Sequence, residues 1–206
     1  MSKKNQKQRI DNLHKKKMEK LKKNIDASIN TANTKRGIGI LLTGNGKGKS
    51  TSAFGIVMRS LGHNYKVGIV QFIKGQQLSG EEIYLRDKCP AVTFHQMNTG
   101  FTWETQDRST DIAAAEESWS IAEKMLQDED YHLVVLDELT YMLSFKYLDE
   151  GKIIHTLKNR PINQSVVVTG RGGGSALVGW ADTVSEIKEI KHAYNQGIMA
   201  RKGIDL

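Results

Sequence analysis

The stretch "LLTGNGKGKST" at residues 41–51 joins an apolar run, a glycine-rich turn and a Lys-Ser pair. The apolar run begins a few residues earlier, since "GIGILLT" at residues 37–43 predicts a buried β-strand. Residues 50–62 follow with a pattern that predicts an α-helix. A strand, a glycine-rich turn and a helix in this order are the setting that a phosphate-binding loop requires. The stretch therefore predicts an α/β fold that binds a phosphorylated ligand.

The residues inside the turn supply the chemistry of phosphate binding. Backbone N–H groups of Gly44 to Lys49 can converge on phosphate oxygens because glycine allows a close approach, and the helix N-terminus adds a favourable dipole. Lys49 supplies a mobile positive charge, and Ser50 offers a hydroxyl group to Mg²⁺. The usual spacing, G-x-x-x-x-G-K-[ST], would put a glycine where this chain has Thr43. The sequence thus predicts a variant phosphate-binding loop.

Apolar runs alternate with helical patterns along the rest of the chain. The predicted strands are short, mostly β-branched and apolar, and they lie at residues 37–43, 66–72, 91–97, 132–138, 165–170 and 182–190. The predicted helices lie between them, at residues 50–62, 80–88, 107–129, 139–147 and 149–159. Alternating strands and helices predict a mainly parallel sheet covered by helices on both faces. We therefore predict a single P-loop (RecA-like) α/β domain at residues 36–206.

Two acidic residues end the predicted strand "LVVLDE". This position puts Asp137 and Glu138 at the carboxyl edge of the sheet, where ligands bind in open α/β folds. One of them can hold Mg²⁺ directly or through water. The alternative is a helix cap or a solvated strand end. The phosphate-binding loop favours the metal interpretation.

Two further segments are candidates for ligand contact. "TGRGGG" at residues 169–174 is either a tight glycine turn or a ligand-facing loop, in which Arg171 would reach phosphate or ribose oxygens. "MNTGFTWETQDR" at residues 97–108 places Phe101 and Trp103 in a polar segment that contains glycine. Such aromatic side chains either fold back into the core or form a platform for a flat ligand. The residues alone leave both alternatives open.

The net charge of +7 lies in the N-terminal tail. Residues 1–23 contain ten Lys or Arg residues and two acidic residues, so they carry +8 and the rest of the chain carries −1. A nearly neutral body argues against a nucleic-acid-binding module, although the tail raises that possibility. We therefore expect no nucleic-acid partner.

Residues 1–35 are predicted to form a basic helix and a linker, the linker being the small, polar segment "DASINTANTK" at residues 26–35. The apolar residues of the helix follow a 3.6-residue period: Ile10, Leu13, Met18, Leu21 and Ile25. One interpretation is a solvated helix that improves solubility. The other is a helix that docks over a site or a partner subunit.

No apolar segment has the roughly 20 residues needed to span a bilayer, and no apolar signal core follows the N-terminal lysines. We therefore expect a cytoplasmic protein without a membrane partner.

The motifs, taken together, resemble the P-loop type ATP:corrinoid adenosyltransferases, also called cob(I)alamin adenosyltransferases. The resemblance runs in order from about residue 37 to the C-terminus. It includes segments that match no general sequence motif and are therefore specific to the family, such as "TGFTW" and "KHAYNQGI". The segments that carry it are "TGNGKGKSTSAFG", "VGIVQFIKG", "TGFTWETQ", "LVVLDELTYML", "NRP", "VVVTGRGG" and "ADTVSEIKEIKHAYNQGIMARKGID".

The resemblance implies a reaction in which Co(I) of a reduced corrinoid, such as cobalamin, attacks the 5′ carbon of ATP and inorganic triphosphate leaves. It implies that Ser50 and Glu138 bind Mg²⁺. Phe101 and Trp103 would displace the lower axial ligand of the corrinoid, which makes Co(II) easier to reduce. The nucleotide-binding residues would be Gly44, Asn45, Gly46, Lys47, Gly48, Lys49, Ser50, Thr51 and Arg171.

The resemblance also implies a homodimer, a reducing flavoprotein as the electron donor, and an N-terminal helix that closes over the site of the partner subunit. The segment "GGGSALVGWADT" at residues 172–183 departs from the family pattern, because it is rich in glycine and places Trp180 where a smaller apolar residue is usual. We expect this departure to change packing near the nucleotide. The competing hypothesis is a RecA-like ATPase that releases ADP and phosphate, with Glu138 activating water.

Overall fold

The chain divides into two compact units, Met1–Lys35 and Arg36–Leu206, in the computed structural model, which describes residues 3–73, 78–97 and 107–205. The first unit contains helix α1 (Lys3–Thr31). Most of the predicted linker at residues 26–35 is thus helical, and that prediction was wrong. The apolar stripe of α1 is exposed along its length. Among the described residues, no helix combines the length and apolar character that a bilayer crossing would need.

The second unit is built on a six-stranded sheet in which every strand pair is parallel. All six predicted strands are present. They are β1 (Gly39–Thr43), β2 (Lys66–Gln71), β3 (Val92–Gln96), β4 (Tyr131–Asp137), β5 (Ser165–Thr169) and β6 (Thr183–Glu186). Their order across the sheet is β3-β2-β4-β5-β1-β6. The last strand is shorter than the predicted segment 182–190, because the chain leaves the sheet after residue 186.

Helices connect the strands, close to the predicted positions. They are α2 (Lys49–Leu61), α3 (Gly80–Lys88), α4 (Arg108–Gln127), α5 (Leu139–Ser144), α6 (Glu150–Lys158) and α7 (Gly174–Trp180). Helix α5 ends before the predicted residue 147, since Lys146 adopts a left-handed conformation with φ of 54°. We did not predict α7, which has only seven residues, two of them glycine.

Each face of the sheet carries its own apolar core. Successive residues of β4 alternate between the two cores, so that Leu133 and Val135 pack on one face and Val134 and Leu136 on the other. Helices α2 and α3 cover the first face, and α4 to α7 cover the second. Burial on both faces explains why these strands are continuous apolar runs in the sequence.

The parallel arrangement brings the strand ends to one edge. In the register of the sheet, Gln71 of β2 lies opposite Asp137 of β4, and Thr169 of β5 lies opposite Leu42 of β1. The phosphate-binding loop follows β1 at this edge. The residues that come next in the chain after β1, β4 and β5 therefore form one surface.

Candidate active site

The phosphate-binding loop leaves β1 at Gly44 and enters α2 at Lys49. Gly44 and Gly48 adopt left-handed conformations, with φ of 101° and 109°, which residues with a side chain rarely adopt. A Cβ atom at Gly44 would also overlap the carbonyl oxygen of Ile187. The loop therefore needs glycine both for its turn and for its close packing against the chain that follows β6.

One backbone amide of the loop forms a hydrogen bond with another part of the protein. The N–H of Gly46 donates to the carbonyl oxygen of Ile187 at 2.8 Å, so this amide already has a partner within the protein. The first intrahelical hydrogen bond of α2 runs from the Ser52 amide to the Gly48 carbonyl oxygen at 2.8 Å. The amides of Lys49 to Thr51 precede it, and helix geometry gives them no acceptor within α2. Amides in this position, at the N-terminus of a helix, are suited to binding an anion.

Lys49 is buried at the start of α2, and its Nζ donates to the Gly46 carbonyl oxygen at 2.9 Å. Burial lowers the pKa of Lys49, and the nearby Arg171 lowers it further, whereas Glu138 and Asp137 act in the opposite direction. A partly desolvated ammonium group interacts more strongly with an anion than one in bulk water does. Lys49 is therefore well placed to stabilise negative charge at the loop.

Asp137 is held firmly at the end of β4. Its Oδ1 accepts a hydrogen bond from Thr169 Oγ1 at 2.6 Å, and its Oδ2 accepts one from Gln71 Nε2 at 2.9 Å. Both partners end neighbouring strands, so the buried carboxylate joins β2, β4 and β5 at the ligand-binding edge. The two hydrogen bonds therefore fix the orientation of the Asp137 carboxylate at the end of β4.

Glu138, the next residue, has a different environment. Burial raises its pKa to about 7, and the charge of Asp137 adds to the effect, while Lys49 and Arg171 oppose it. Its backbone has φ of 59°, a left-handed conformation that costs about 1–2 kcal/mol for a residue with a side chain. Within the described part of the chain, its buried Oε2 has no hydrogen-bond partner. An unsatisfied carboxylate oxygen of this kind suits a bound cation.

The glycine loop after β5 docks onto the same surface. Thr43 Oγ1 donates to the carbonyl oxygen of Gly172, and Thr140 Oγ1 donates to that of Arg171 at 3.0 Å. Gly170 has φ of 143°, and a Cβ atom there would overlap the Thr140 hydroxyl. The guanidinium of Arg171 acts on the pKa values of both Lys49 and Glu138, which places its charge at the site. The predicted ligand-facing loop thus lies beside the phosphate-binding loop.

Asp205 is a residue at the loop that the sequence did not predict. Lys47 Nζ lies 2.7 Å from Asp205 Oδ1, and Asp205 Oδ2 accepts the Arg201 amide at 2.9 Å. The bond to Lys47 is the main cause of a lowered pKa at Asp205. No local pattern could have revealed this contact, because the two partners are 158 residues apart in the chain.

The structure brings together the predicted loop residues, Glu138 and Arg171. Asn45 and Thr51 are exposed there. Phe101 and Trp103 lie outside the described residues. The expectation for Trp180 was wrong: its ring lies against Gly39, at the start of β1, while the phosphate-binding loop follows the other end of that strand. Helix α7 starts at the ligand-binding edge and carries Trp180 to the opposite one.

Among residues 3–73, 78–97 and 107–205, no group of three or more His, Cys, Asp or Glu side chains could hold a metal ion. A magnesium site at this edge would instead take a hydroxyl, one carboxylate, and oxygens from the ligand and water, as Mg²⁺ commonly does beside phosphates.

A parallel sheet with a glycine-rich loop between β1 and a helix, and an acidic pair at the end of β4, two strands away from β1, defines a P-loop nucleotide-binding protein. Within that class, the chain belongs to the family ATP:corrinoid adenosyltransferase BtuR/CobO/CobP, whose model matches residues 35–206.

Proteins named corrinoid adenosyltransferase resemble this chain over most of its length. The one from Pseudomonas aeruginosa is 48% identical over 195 residues, which cover 95% of this chain and 96% of that protein. The one from Escherichia coli is 45% identical, covering 95% and 98%. The Salmonella typhimurium protein, named corrinoid adenosyltransferase CobA, is 46% identical with the same coverage. An alignment of 195 residues is longer than the second unit, so the similarity includes part of α1.

Proposed function

We propose that this protein transfers the 5′-deoxyadenosyl group of ATP to the Co(I) centre of a reduced corrinoid, either cobalamin or a biosynthetic precursor. The family match across residues 35–206 carries the proposal, because it spans the whole phosphate-binding unit. In this reaction Co(I) supplies both electrons of the new Co–C bond. The bond between C5′ and O5′ breaks, and its electron pair stays with the oxygen of inorganic triphosphate.

Lys49 and the first amides of α2 would stabilise the leaving group. Negative charge grows on the triphosphate as the bond to C5′ breaks, and fixed donors stabilise such charge without reorganisation during the reaction. The reaction needs no general base, because no proton is removed from the nucleophile. The residues of the loop then act through charge and hydrogen bonding alone. Asn45, Lys47, Gly48, Thr51 and Arg171 would complete the nucleotide contacts.

Mg²⁺ fits the donors that the chain offers. Glu138 has a buried oxygen with no hydrogen-bond partner among the described residues, whereas both oxygens of Asp137 are engaged. We therefore assign Glu138 and the Ser50 hydroxyl as the protein's contacts to the ion. When bound, Mg²⁺ would neutralise part of the triphosphate charge. Its positive charge would also favour the ionised form of Glu138 despite the burial of this side chain.

Phe101 and Trp103 are proposed, on the family resemblance, to displace the lower axial ligand of the corrinoid. A four-coordinate Co(II) centre is easier to reduce, so the two side chains would act on reduction and not on the transfer step. Phe101→Ala and Trp103→Ala should therefore slow the reaction from Co(II) corrinoid much more than that from chemically reduced Co(I). Equal losses with both substrates would contradict this role.

The resemblance also supports a cytoplasmic homodimer that receives electrons from a reducing flavoprotein. The exposed apolar stripe of α1 is consistent with a helix that docks on a partner subunit. Deleting residues 1–35 should then weaken corrinoid use while ATP still binds to the second unit. Unchanged corrinoid turnover in the truncated protein would argue against such docking.

Product analysis distinguishes the proposal from ATP hydrolysis. The protein is incubated with ATP, Mg²⁺ and reduced cobalamin; absorbance detects the Co–C bond, and anion-exchange chromatography separates the phosphates. Adenosyl transfer predicts intact triphosphate in equal amount to the alkylated corrinoid, and none without corrinoid. Release of ADP and phosphate, independent of corrinoid, would support the RecA-like ATPase instead.

A further inference from the structure

The chain after β6 touches the phosphate-binding loop at two separated places. Near its start, the Ile187 amide donates to the Thr43 carbonyl oxygen at 2.7 Å, and the Ile187 carbonyl oxygen accepts the Gly46 amide. Near its end, Asp205 pairs with Lys47 at 2.7 Å. The first contact uses backbone groups beneath the loop. The second uses the charge of a loop lysine that would otherwise attract phosphate.

Residues 197–205 have few polar contacts with the rest of the described chain. Across the described residues, the Lys47–Asp205 pair is the one hydrogen bond that joins residues 197–205 to any residue before 193. The other bonds of this segment are local turns, including those from Arg201 to Asp205. Residues 197–204 are exposed as well. The attachment of the segment to the loop therefore depends on the charge of Lys47.

A triphosphate would be a stronger partner for Lys47 than Asp205 is. The Lys47 side chain is 52% exposed, so its pair with a single carboxylate is screened by solvent and weak. A triphosphate on the loop has several negative charges and is also held by the helix amides and Lys49. The two anions cannot both occupy the same face of one ammonium group without repelling each other.

We propose that Asp205 and the triphosphate compete for Lys47, so that nucleotide binding releases residues 201–205 from the phosphate-binding loop. The inference rests on the proposed function only in requiring that the loop binds polyphosphate. Asp205 then acts as a built-in competitor that lowers the affinity for nucleotide and for the triphosphate product. The C-terminal segment responds to occupancy of the loop.

Binding of inorganic triphosphate tests the competition without any adenosine contact. We expect Asp205→Asn to bind triphosphate about two- to fivefold more tightly than the wild type in low-salt titration calorimetry. This range corresponds to the free energy that a surface ion pair typically contributes. Asp130→Asn is the matched control, because it also removes one carboxylate that pairs with a surface lysine, Lys66, but at the other end of the strands. That variant should bind like the wild type.

A double mutant identifies the lysine that carries the effect. Lys47→Met should weaken triphosphate binding, and adding Asp205→Asn to it should give less than about a twofold change. The gain from Asp205→Asn in the Lys47 background should shrink in 0.5 M salt, where the charges are screened. Equal or weaker binding by Asp205→Asn, or an unchanged gain without Lys47, would overturn the competition.

Trypsin digestion followed by mass spectrometry tests the release of the segment. Saturating triphosphate should speed cleavage after Arg201 and Lys202 in the wild type, and Asp205→Asn should be cleaved at the faster rate without triphosphate. Protection of these sites by triphosphate would contradict the proposal. If the wild type binds no triphosphate at all, the phosphate-binding assignment fails too; if it binds but the variants behave alike, only the competition fails.

Discussion

Replacing Glu138 with glutamine should stabilise the fold while it removes activity. The pKa of this carboxyl is about 7 in the fold and 4.5 in a solvated chain. One pKa unit is worth about 1.4 kcal/mol, so ionised Glu138 costs roughly 3 kcal/mol of folding free energy above pH 7. Glutamine has nearly the same shape and no charge, and it avoids that cost.

The pH dependence follows from the sign of the pKa change. Below about pH 4.5 the carboxyl is neutral in both states, and it contributes no penalty. Between pH 4.5 and 7 the unfolded chain releases the proton while the folded chain keeps it, so stability falls as the pH rises. Above pH 7 the whole penalty is present. Wild type and Glu138→Gln should therefore have similar stability at pH 4.5 and diverge by pH 8.

Urea unfolding in EDTA at the two pH values measures the difference. At pH 8 we expect Glu138→Gln to be about 3 kcal/mol more stable, with a melting temperature roughly 6–12 °C higher for a chain of this size. The exposed Glu129 gives the matched control, since Glu129→Gln should change stability by less than about 0.5 kcal/mol. The reasoning would be refuted if Glu138→Gln were no more stable than the wild type at pH 8.

Further substitutions test other parts of the site. Lys49→Ala should lower kcat/KM for ATP by about 100-fold or more in the transfer assay, and near-normal turnover would contradict its role at the leaving group. Gly44→Ala should destabilise the protein by about 2 kcal/mol or more in thermal unfolding, because a Cβ atom there would overlap the Ile187 carbonyl; an unchanged melting temperature would refute this packing. Trp180→Leu should lower the melting temperature through lost contact with Gly39, yet leave the ATP Kd within about twofold; a large loss of affinity would place Trp180 in the site after all.

Much of the fold was predictable, because a strand that is buried on both faces consists of consecutive apolar residues, which are easily recognised in the sequence. Strand β4 is the clearest case, since every residue from Leu133 to Leu136 enters one core or the other. Helix α7 was missed because a seven-residue helix with two glycines has little intrinsic preference for the helical state. It forms because Leu177 is fully buried in the core on its face of the sheet. The linker at residues 26–35 was predicted wrongly because small polar residues do not by themselves end a helix, and α1 continues through them to Thr31.

The parts of the candidate site that consist of consecutive functional residues could be predicted from the sequence. The loop from Gly44 to Ser50 and the pair Asp137–Glu138 each form a local motif, and parallel strands bring both to one edge. The different roles of the two acids were not predictable. They depend on Gln71 and Thr169, which engage both carboxylate oxygens of Asp137 from neighbouring strands, whereas Oε2 of Glu138 has no hydrogen-bond partner among the described residues.

The polarity of the bound nucleotide tests the central claim most directly. A crystal structure of the protein with ATP, Mg²⁺ and Co(II) corrinoid, without a reductant, would show which atom of ATP lies nearest the cobalt. We predict the 5′ carbon of the ribose, with the triphosphate on the loop between Gly44 and Ser50. A γ-phosphorus nearest the corrin ring, with the ribose directed away, would contradict adenosyl transfer by this site.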